Sequence, residues 1–168
     1  MKVYRRILAA IDIDRFGSDV AREAAKLARA QGAALALAHV IDYGRGLDCD
    51  HAPFLTPDET EKRLRAEVNL RMAQLALGLG IPDASRLIAC GRPCQEVFTL
   101  ALGWQPELIV VGDRAAHGLG EGGTFFAANA FSRVRADIRV IPQPRQRALR
   151  EMLDLLAWPT RVIDPRTS

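Results

Sequence analysis

The residues best suited to chemistry lie in a glycine-dense segment, residues 112–124, directly after the apolar run 108–111. The residues that follow, 125–131, have the composition of a helix start. A strand, a glycine loop and a helix start in this order leave backbone N–H groups and the positive end of a helix dipole free to hold an anion. The segment therefore predicts a phosphate site, while a glycine loop without a fixed fingerprint also serves as a plain connector.

Side chains near this loop and at the end of the first predicted strand extend the prediction to a nucleotide. Arg114 and His117 are the nearby side chains that could complement a phosphate, and Glu121 would repel one. Asp12 offers a carboxylate to ribose hydroxyls, and in a doubly wound sheet it would border one cleft with Gly112. The alternative role of Asp12 is to cap the first helix or to bind loop amides.

Two cysteines, Cys90 and Cys94, stand four residues apart. Cys94 is close to a predicted helix N-terminus, where a thiolate is favoured. The spacing differs from the C-x-x-C of disulfide oxidoreductases, so buried structural cysteines compete with a redox pair as the interpretation.

The remaining polar residues predict no catalytic or metal site. The sequence has no G-x-S-x-G elbow, and three scattered histidines give no nucleophilic triad. His39 lies in an apolar run and is expected to be a core residue with a satisfied ring. A solvated loop is the interpretation of four adjacent residues, Asp48, Cys49, Asp50 and His51.

Composition excludes several classes of protein. The 168 residues are 49% hydrophobic with a net charge of +3, which fits one globular domain. The basic residues are mostly scattered, so a nucleic-acid face is not expected.

No run approaches the roughly 18 apolar residues of a membrane span. Three cysteines and no long apolar leader indicate a reducing compartment. We expect a soluble cytoplasmic protein without a nucleic-acid or membrane partner.

Buried-type apolar runs alternate with amphipathic segments along the chain. This alternation with short connections predicts a single α/β domain, a doubly wound five-stranded parallel sheet with helices on both faces. Ligands of such sheets bind outside the carboxyl ends of the strands, where the strand order reverses. Strands are predicted near residues 3–11, 33–41, 86–90, 107–111 and 138–141, and helices near 18–32, 56–80, 93–103 and 125–134.

The chain after residue 142 is predicted to be an extension of this domain. We divide the sequence into an α/β domain (1–142), a helical extension (143–158) and a loose tail (159–168). The extension is amphipathic, so its apolar stripe must be covered by its own domain or by a partner. The stripe consists of Leu149, Met152, Leu153 and Leu156.

Five short segments carry a family resemblance: I-L-A-A-I-D (7–12), L-A-H-V-I-D (37–42), C-G-R-P (90–93), P-E-L-I-V-V-G (106–112) and D-I-R-V-I-P (137–142). In this order they resemble the universal stress protein family over about residues 3 to 142. The resemblance implies the same α/β fold and dimers that often pair the last strand. An exposed edge at 138–141 would suit such pairing, and Arg139 and the extension would alter the interface.

Some members of this family bind ATP through the motif G-x2-G-x9-G-[ST], and others lack both the motif and the nucleotide. In this sequence Gly112 matches the first position, but Ala115 replaces the second glycine and Phe125 stands where the third is required. Gly123 and Thr124 supply the final pair only if the loop is two residues shorter. A β-carbon at Ala115 matters wherever a positive φ or close phosphate approach is needed.

If the motif still works, the resemblance implies Asp12 at the ribose, the backbone around Val40 at the adenine, and Gly112, Gly123 and Thr124 at the phosphates. The full candidate set for a cofactor is Ala10, Asp12, Val40, Gly112, Arg114, Ala115, Gly123 and Thr124.

Two functions follow from the resemblance. The first is a homodimeric regulatory or protective interaction module of the stress response, paired through its last strand and the extension, with a regulatory protein partner and no enzymatic turnover. The alternative is an ATP-binding member, with weak or no hydrolysis, in which the loop from Gly112 to Thr124 is a switch.

Overall fold

The computed structural model describes residues 2–13, 17–42, 56–112 and 134–142. The predicted helix at 125–134, apart from its last residue, and both segments after residue 142 lie outside them. Strands and helices alternate in the predicted order. The strands are β1 (Arg6–Ala10), β2 (Ala34–Ile41), β3 (Ser85–Cys90), β4 (Leu108–Gly112) and β5 (Asp137–Ile141), and the helices are α1 (Gly17–Gln31), α2 (Pro57–Gly78) and α3 (Pro93–Trp104).

The five strands form one parallel sheet in the order β3-β2-β1-β4-β5. Strand β1 is central because its apolar residues are covered on both faces, with Leu8 fully buried. The order reverses between β1 and β4, so the doubly wound fold predicted from the alternation is confirmed.

Helices α1 and α2 pack on one face of the sheet and α3 on the other. On the first face, Val20 and Ala24 of α1 and Met72 of α2 join alternate strand residues such as Ile7 in one core. The second face is built on Leu8, Ile109 and Val97 and packs against α3. Because strand side chains alternate between faces, each strand contributes to both cores. None of the described helices is long and apolar enough to cross a membrane.

A side-chain cap and a glycine fix two helix ends where the sequence predicts them. Thr56 and Glu59 form a capping box at the start of α2, since each side chain binds the other's backbone N–H. These bonds to Thr56 lower the pKa of the Glu59 carboxyl. Gly32 ends α1 at φ 63°, a left-handed conformation that favours glycine.

Two boundaries differ from the prediction for identifiable reasons. Strand β1 begins at Arg6 rather than near residue 3, because side chains bind the preceding N–H groups: Gln31 accepts from Tyr4 and Glu107 from Arg5. Helix α3 passes Gly103 and ends at Trp104, where Gln105 takes the left-handed conformation and donates to the Ala101 carbonyl.

Candidate functional site

The carboxyl edge of the sheet brings together the candidates described on β1, β2 and β4. Ala10 pairs in register with Ala38 of β2 and with Val111 of β4. Asp12 lies two residues beyond Ala10, and Gly112 directly follows Val111. Neighbouring strands are about 4.8 Å apart, so Asp12 and Gly112 border the point where the strand order reverses, as predicted.

Val40 lies at the same level on the neighbouring strand. It stands two residues beyond the Ala10–Ala38 pair, which places it beside Asp12. Val40 and Ala10 are half-buried and pack against the α3 side of the sheet. They form an apolar shelf next to the exposed Asp12 carboxylate. This arrangement suits a flat apolar base beside a polar sugar.

His39, the residue before Val40, belongs to the opposite face and does not line the shelf. Its Nδ1 lies 2.9 Å from the Ile11 carbonyl oxygen. The ring is half-buried rather than fully buried, and this contact gives it the partner that the sequence predicts. The contact links β2 to the segment that leads into Asp12.

The turn between β1 and α1 is closed by a backbone bond that the sequence analysis missed. The Gly17 N–H donates to the Asp12 carbonyl oxygen at 2.8 Å. A β-carbon on Gly17 would lie 2.2 Å from the same oxygen, so a side chain forces the turn to shift. The signal in the sequence was a glycine directly before the Ser18 helix start. Asp12 is thereby held by its own backbone next to the N-terminus of α1.

The backbone conformation at residue 112 does not require glycine, because the φ of Gly112 is not positive. A β-carbon there would meet Val20 of α1 at 3.4 Å, which is an acceptable contact. An alanine at this position therefore fits the protein itself. Any cost to ligand binding would come from crowding of the ligand.

The phosphate half of the predicted site lies outside the described residues. This applies to Arg114, Ala115, Gly123 and Thr124. The polar loop at 48–51 lies outside them as well, and among the residues that are described no three potential ligands group around a metal position. The geometry supports the base and sugar half of a nucleotide site.

Of the two interpretations of Cys94, the structure favours the structural cysteine over the redox thiolate. Cys94 stands in the first turn of α3, but burial raises the pKa of its thiol above the ordinary value. Burial disfavours the charged thiolate, and a backbone hydrogen bond at Cys94 that favours it is the smaller effect. Cys90 and Cys94 are both half-buried thiols, and the surroundings of Cys94 do not favour a reactive nucleophile.

The outer strand β3 has its edge occupied by α2. The Gly91 N–H donates to Ile41 of β2, so the carbonyl of Ile88, three residues earlier, points away from β2. Arg65 of α2 donates to that carbonyl at 3.0 Å. Arg86 on the same strand donates to Asn69 of α2 at 3.0 Å.

The outer strand β5 pairs with one strand, β4, among those that the structure describes. The Asp137 N–H donates to Glu107, so the N–H and C=O groups of Ile138 and Val140 point outward. Val140 is 43% exposed. Such an edge is a template for pairing with another strand.

Known proteins share both sequence and fold with this chain. The model of the family described as "Universal stress protein family" matches residues 3–124. A relative from Thermus aquaticus, "Universal stress protein in QAH/OAS sulfhydrylase 3'region", is 32% identical over 139 residues, 80% of this chain and 93% of the relative.

Solved structures share the fold at lower identity. The universal stress protein UspA from Lactobacillus plantarum has 19% identity and a TM-score of 0.59 over 84% of this chain and 99% of that one. A universal stress protein crystallised in complex with cAMP has 20% identity and a TM-score of 0.53 over 84% of this chain and 98% of that one. The family match, the Thermus aquaticus relative and the sheet order agree: the chain belongs to the universal stress protein family.

Proposed function

We propose that the chain acts in the stress response as a regulatory or protective interaction module, a cytoplasmic homodimer joined through β5, with a regulatory protein as its partner. It performs no turnover chemistry of its own. The observation that carries the proposal is the outward row of N–H and C=O groups on β5 at Ile138 and Val140. The contrast with β3 supports it, because Arg65 already binds the Ile88 carbonyl at the other edge.

Substitution of Val140 by proline tests the dimer. The Val140 N–H points away from β4, so proline removes a donor to a partner strand without breaking the sheet, and proline is tolerated in this position of an edge strand. Sedimentation equilibrium is expected to show the dimer dissociation constant of Val140→Pro raised at least tenfold.

Val140→Thr is the matched control because it keeps both the N–H and a β-branched side chain. It should dimerise as the native chain does, and both variants should melt near the native temperature. A Val140→Pro variant that remains folded and dimerises with native affinity would contradict pairing through β5.

A nucleotide-binding function is the second candidate, favoured by the shelf of Val40 and Ala10 beside Asp12 and Gly112. The solved relative that holds cAMP supports a nucleotide in this fold. The ligand proposed is ATP, with the base on the shelf, the ribose hydroxyls at the Asp12 carboxylate, and the phosphates towards Gly112 and the loop after it. Occupancy would switch that loop, with weak or no hydrolysis.

A thermal-shift titration with ATP and magnesium tests this candidate. At a hundred times the dissociation constant a ligand adds about 2.7 kcal/mol of stability. Asp12→Ala and Gly112→Ala should reduce the shift, the first through the ribose and the second through crowding.

Gly103→Ala is the matched control, since a β-carbon at Gly103 meets no atom within 4 Å. It should leave the ATP shift at the native size. Absence of any shift at millimolar ATP in the native chain would rule out the nucleotide function and leave the interaction module in place.

A further inference from the structure

Helix α2 carries apolar residues on two opposite faces. The face towards the sheet contributes the fully buried Met72 and Ala76. On the opposite side Leu70 is 59% exposed and Leu77 is 71% exposed. A helix with apolar residues on both sides is usually covered on both.

The outward residues follow one narrow stripe. Ala66, Leu70, Ala73 and Leu77 are spaced by four, three and four residues, which is the a/d spacing of a helix that packs against a second helix. Its length is about 16 Å at 1.5 Å per residue. Ala66 is exposed and Ala73 is half-exposed, so the stripe lies on the surface of the part of the chain that the structure describes. We call these four residues the α2 stripe.

The α2 stripe is complementary to itself when a second copy is placed antiparallel. A two-fold axis between residues 71 and 72 sets Leu70 against Ala73 and Leu77 against Ala66 of the other copy. Each large side chain then faces a small one, so the two rows of side chains can interdigitate. A parallel arrangement would instead place leucine against leucine and alanine against alanine.

The flanking polar residues fit the same arrangement. Along the helix axis, Glu67 and Gln74 of the other copy differ in height by about 3 Å. A carboxylate acceptor therefore lies near an amide donor. The two copies of Arg63 are about 25 Å apart along the axis. The two Arg63 side chains therefore do not oppose one another, and Arg71, which lies next to the two-fold axis, is paired with Glu67 of its own helix.

We propose that the α2 stripe is a second, weak self-association surface that pairs two copies of this chain through antiparallel α2 helices. It is separate from β5, because α2 packs over β2 and β3 at the opposite side of the sheet. A contact of this length buries less than the roughly 800 Å² per partner of a stable interface. Association through it should therefore require high protein concentration.

Sedimentation equilibrium on the full chain up to several hundred micromolar tests the proposal. In a Val140→Pro background, residual self-association is expected, and Leu70→Glu or Leu77→Glu should raise its dissociation constant at least tenfold. Leu102→Glu is the matched control, since Leu102 is an exposed leucine on α3, 46% accessible and outside the stripe. It should leave the association unchanged.

Three outcomes would overturn the proposal that the α2 stripe pairs two copies of the chain. A Val140→Pro chain that is monomeric throughout, or equal effects of Leu70→Glu and Leu102→Glu, would show that the α2 stripe pairs nothing. A Leu70→Glu chain with unchanged mass but a clearly lowered melting temperature would show that another part of the same chain covers the stripe. If β5 does not form the dimer, the Val140→Pro chain will have the same average molar mass in sedimentation equilibrium as the native chain, and Leu70→Glu will still lower that mass. The two proposals therefore fail separately.

Discussion

The two outer strands of the sheet meet their surroundings differently. On β3 the outward carbonyl of Ile88 is bound by Arg65, and the α2 helix packs against the strand. On β5 the outward groups of Ile138 and Val140 face away from the one described neighbour, β4. Both strands have short apolar sequences, so strand composition does not account for the difference. Among the described residues, the outward Ile88 carbonyl of β3 has an arginine donor from another segment of the chain.

The largest expected effect comes from loosening the helix that closes the β3 edge. Met72 is fully buried between α2 and the sheet, and Met72→Ala should cost about 2–5 kcal/mol of unfolding free energy. Leu77→Ala, on the exposed side of the same helix, should cost less than about 0.5 kcal/mol at low protein concentration. Urea denaturation measures both, and equal losses would mean that α2 is not anchored through Met72.

A smaller effect is expected from removing the arginine itself. Arg65→Ala takes away the donor to Ile88 and should cost about 1–2 kcal/mol, because a charged donor to a partly buried carbonyl is lost. It also leaves the outward Ile88 carbonyl of β3 without this donor, so light scattering should show more self-association.

Arg71→Ala provides the matched comparison on the same helix. Arg71 pairs with Glu67 at 2.6 Å on the surface, and its loss should cost less than about 0.5 kcal/mol without new association. If the two arginine variants behave alike, Arg65 does not protect the edge.

The smallest effect concerns the start of β5. Asp137 accepts hydrogen bonds from Lys2 and Tyr4, each at 2.7 Å, and these bonds lower the pKa of its carboxyl. The resulting stabilisation is present above the ordinary carboxyl pKa of about 3.9 and is lost as the pH falls through the lowered value.

Asp137→Asn should therefore lower the denaturation midpoint slightly at pH 7, and its difference from the native chain should shrink below about pH 4. A difference that stays constant down to pH 2 would assign the effect to packing rather than to charge.

Much of the fold was predictable because it depends on local patterns. Strand β2 is rich in alanine and would be helical by propensity alone, yet its length and the flanking Gly32 and Asp42 correctly predicted a strand. The capping box at Thr56 was visible as a helix start with Pro57 and two acids. The doubly wound parallel sheet with helices on both faces followed from the alternation of elements and the handedness of crossovers, whereas the order of its strands is known from the structure alone.

The features that distinguish the two edges were not predictable from sequence, because they join residues far apart in the chain. The bond from Arg65 to Ile88 and that from Tyr4 to Asp137 require the finished packing. For Cys94 the sequence offered a redox thiolate and a buried structural cysteine, and the raised pKa of its thiol favours the second. At the site, Asp12, Val40 and Gly112 lie at the same edge of the sheet and their binding roles stay predictions, while Gly17 was missed because its role is a close backbone approach.

The central position of β1 also determines how the chain must fold as it is made. Ile7 pairs with Leu108, about 100 residues later in the sequence. At about 5–20 residues per second of synthesis, β1 waits on the order of 5–20 s for this second neighbour after it emerges. During that interval one side of this buried apolar strand is unpaired, so the nascent chain is most prone to misfolding before β4 arrives. Its folding rate should be limited by this long-range closure.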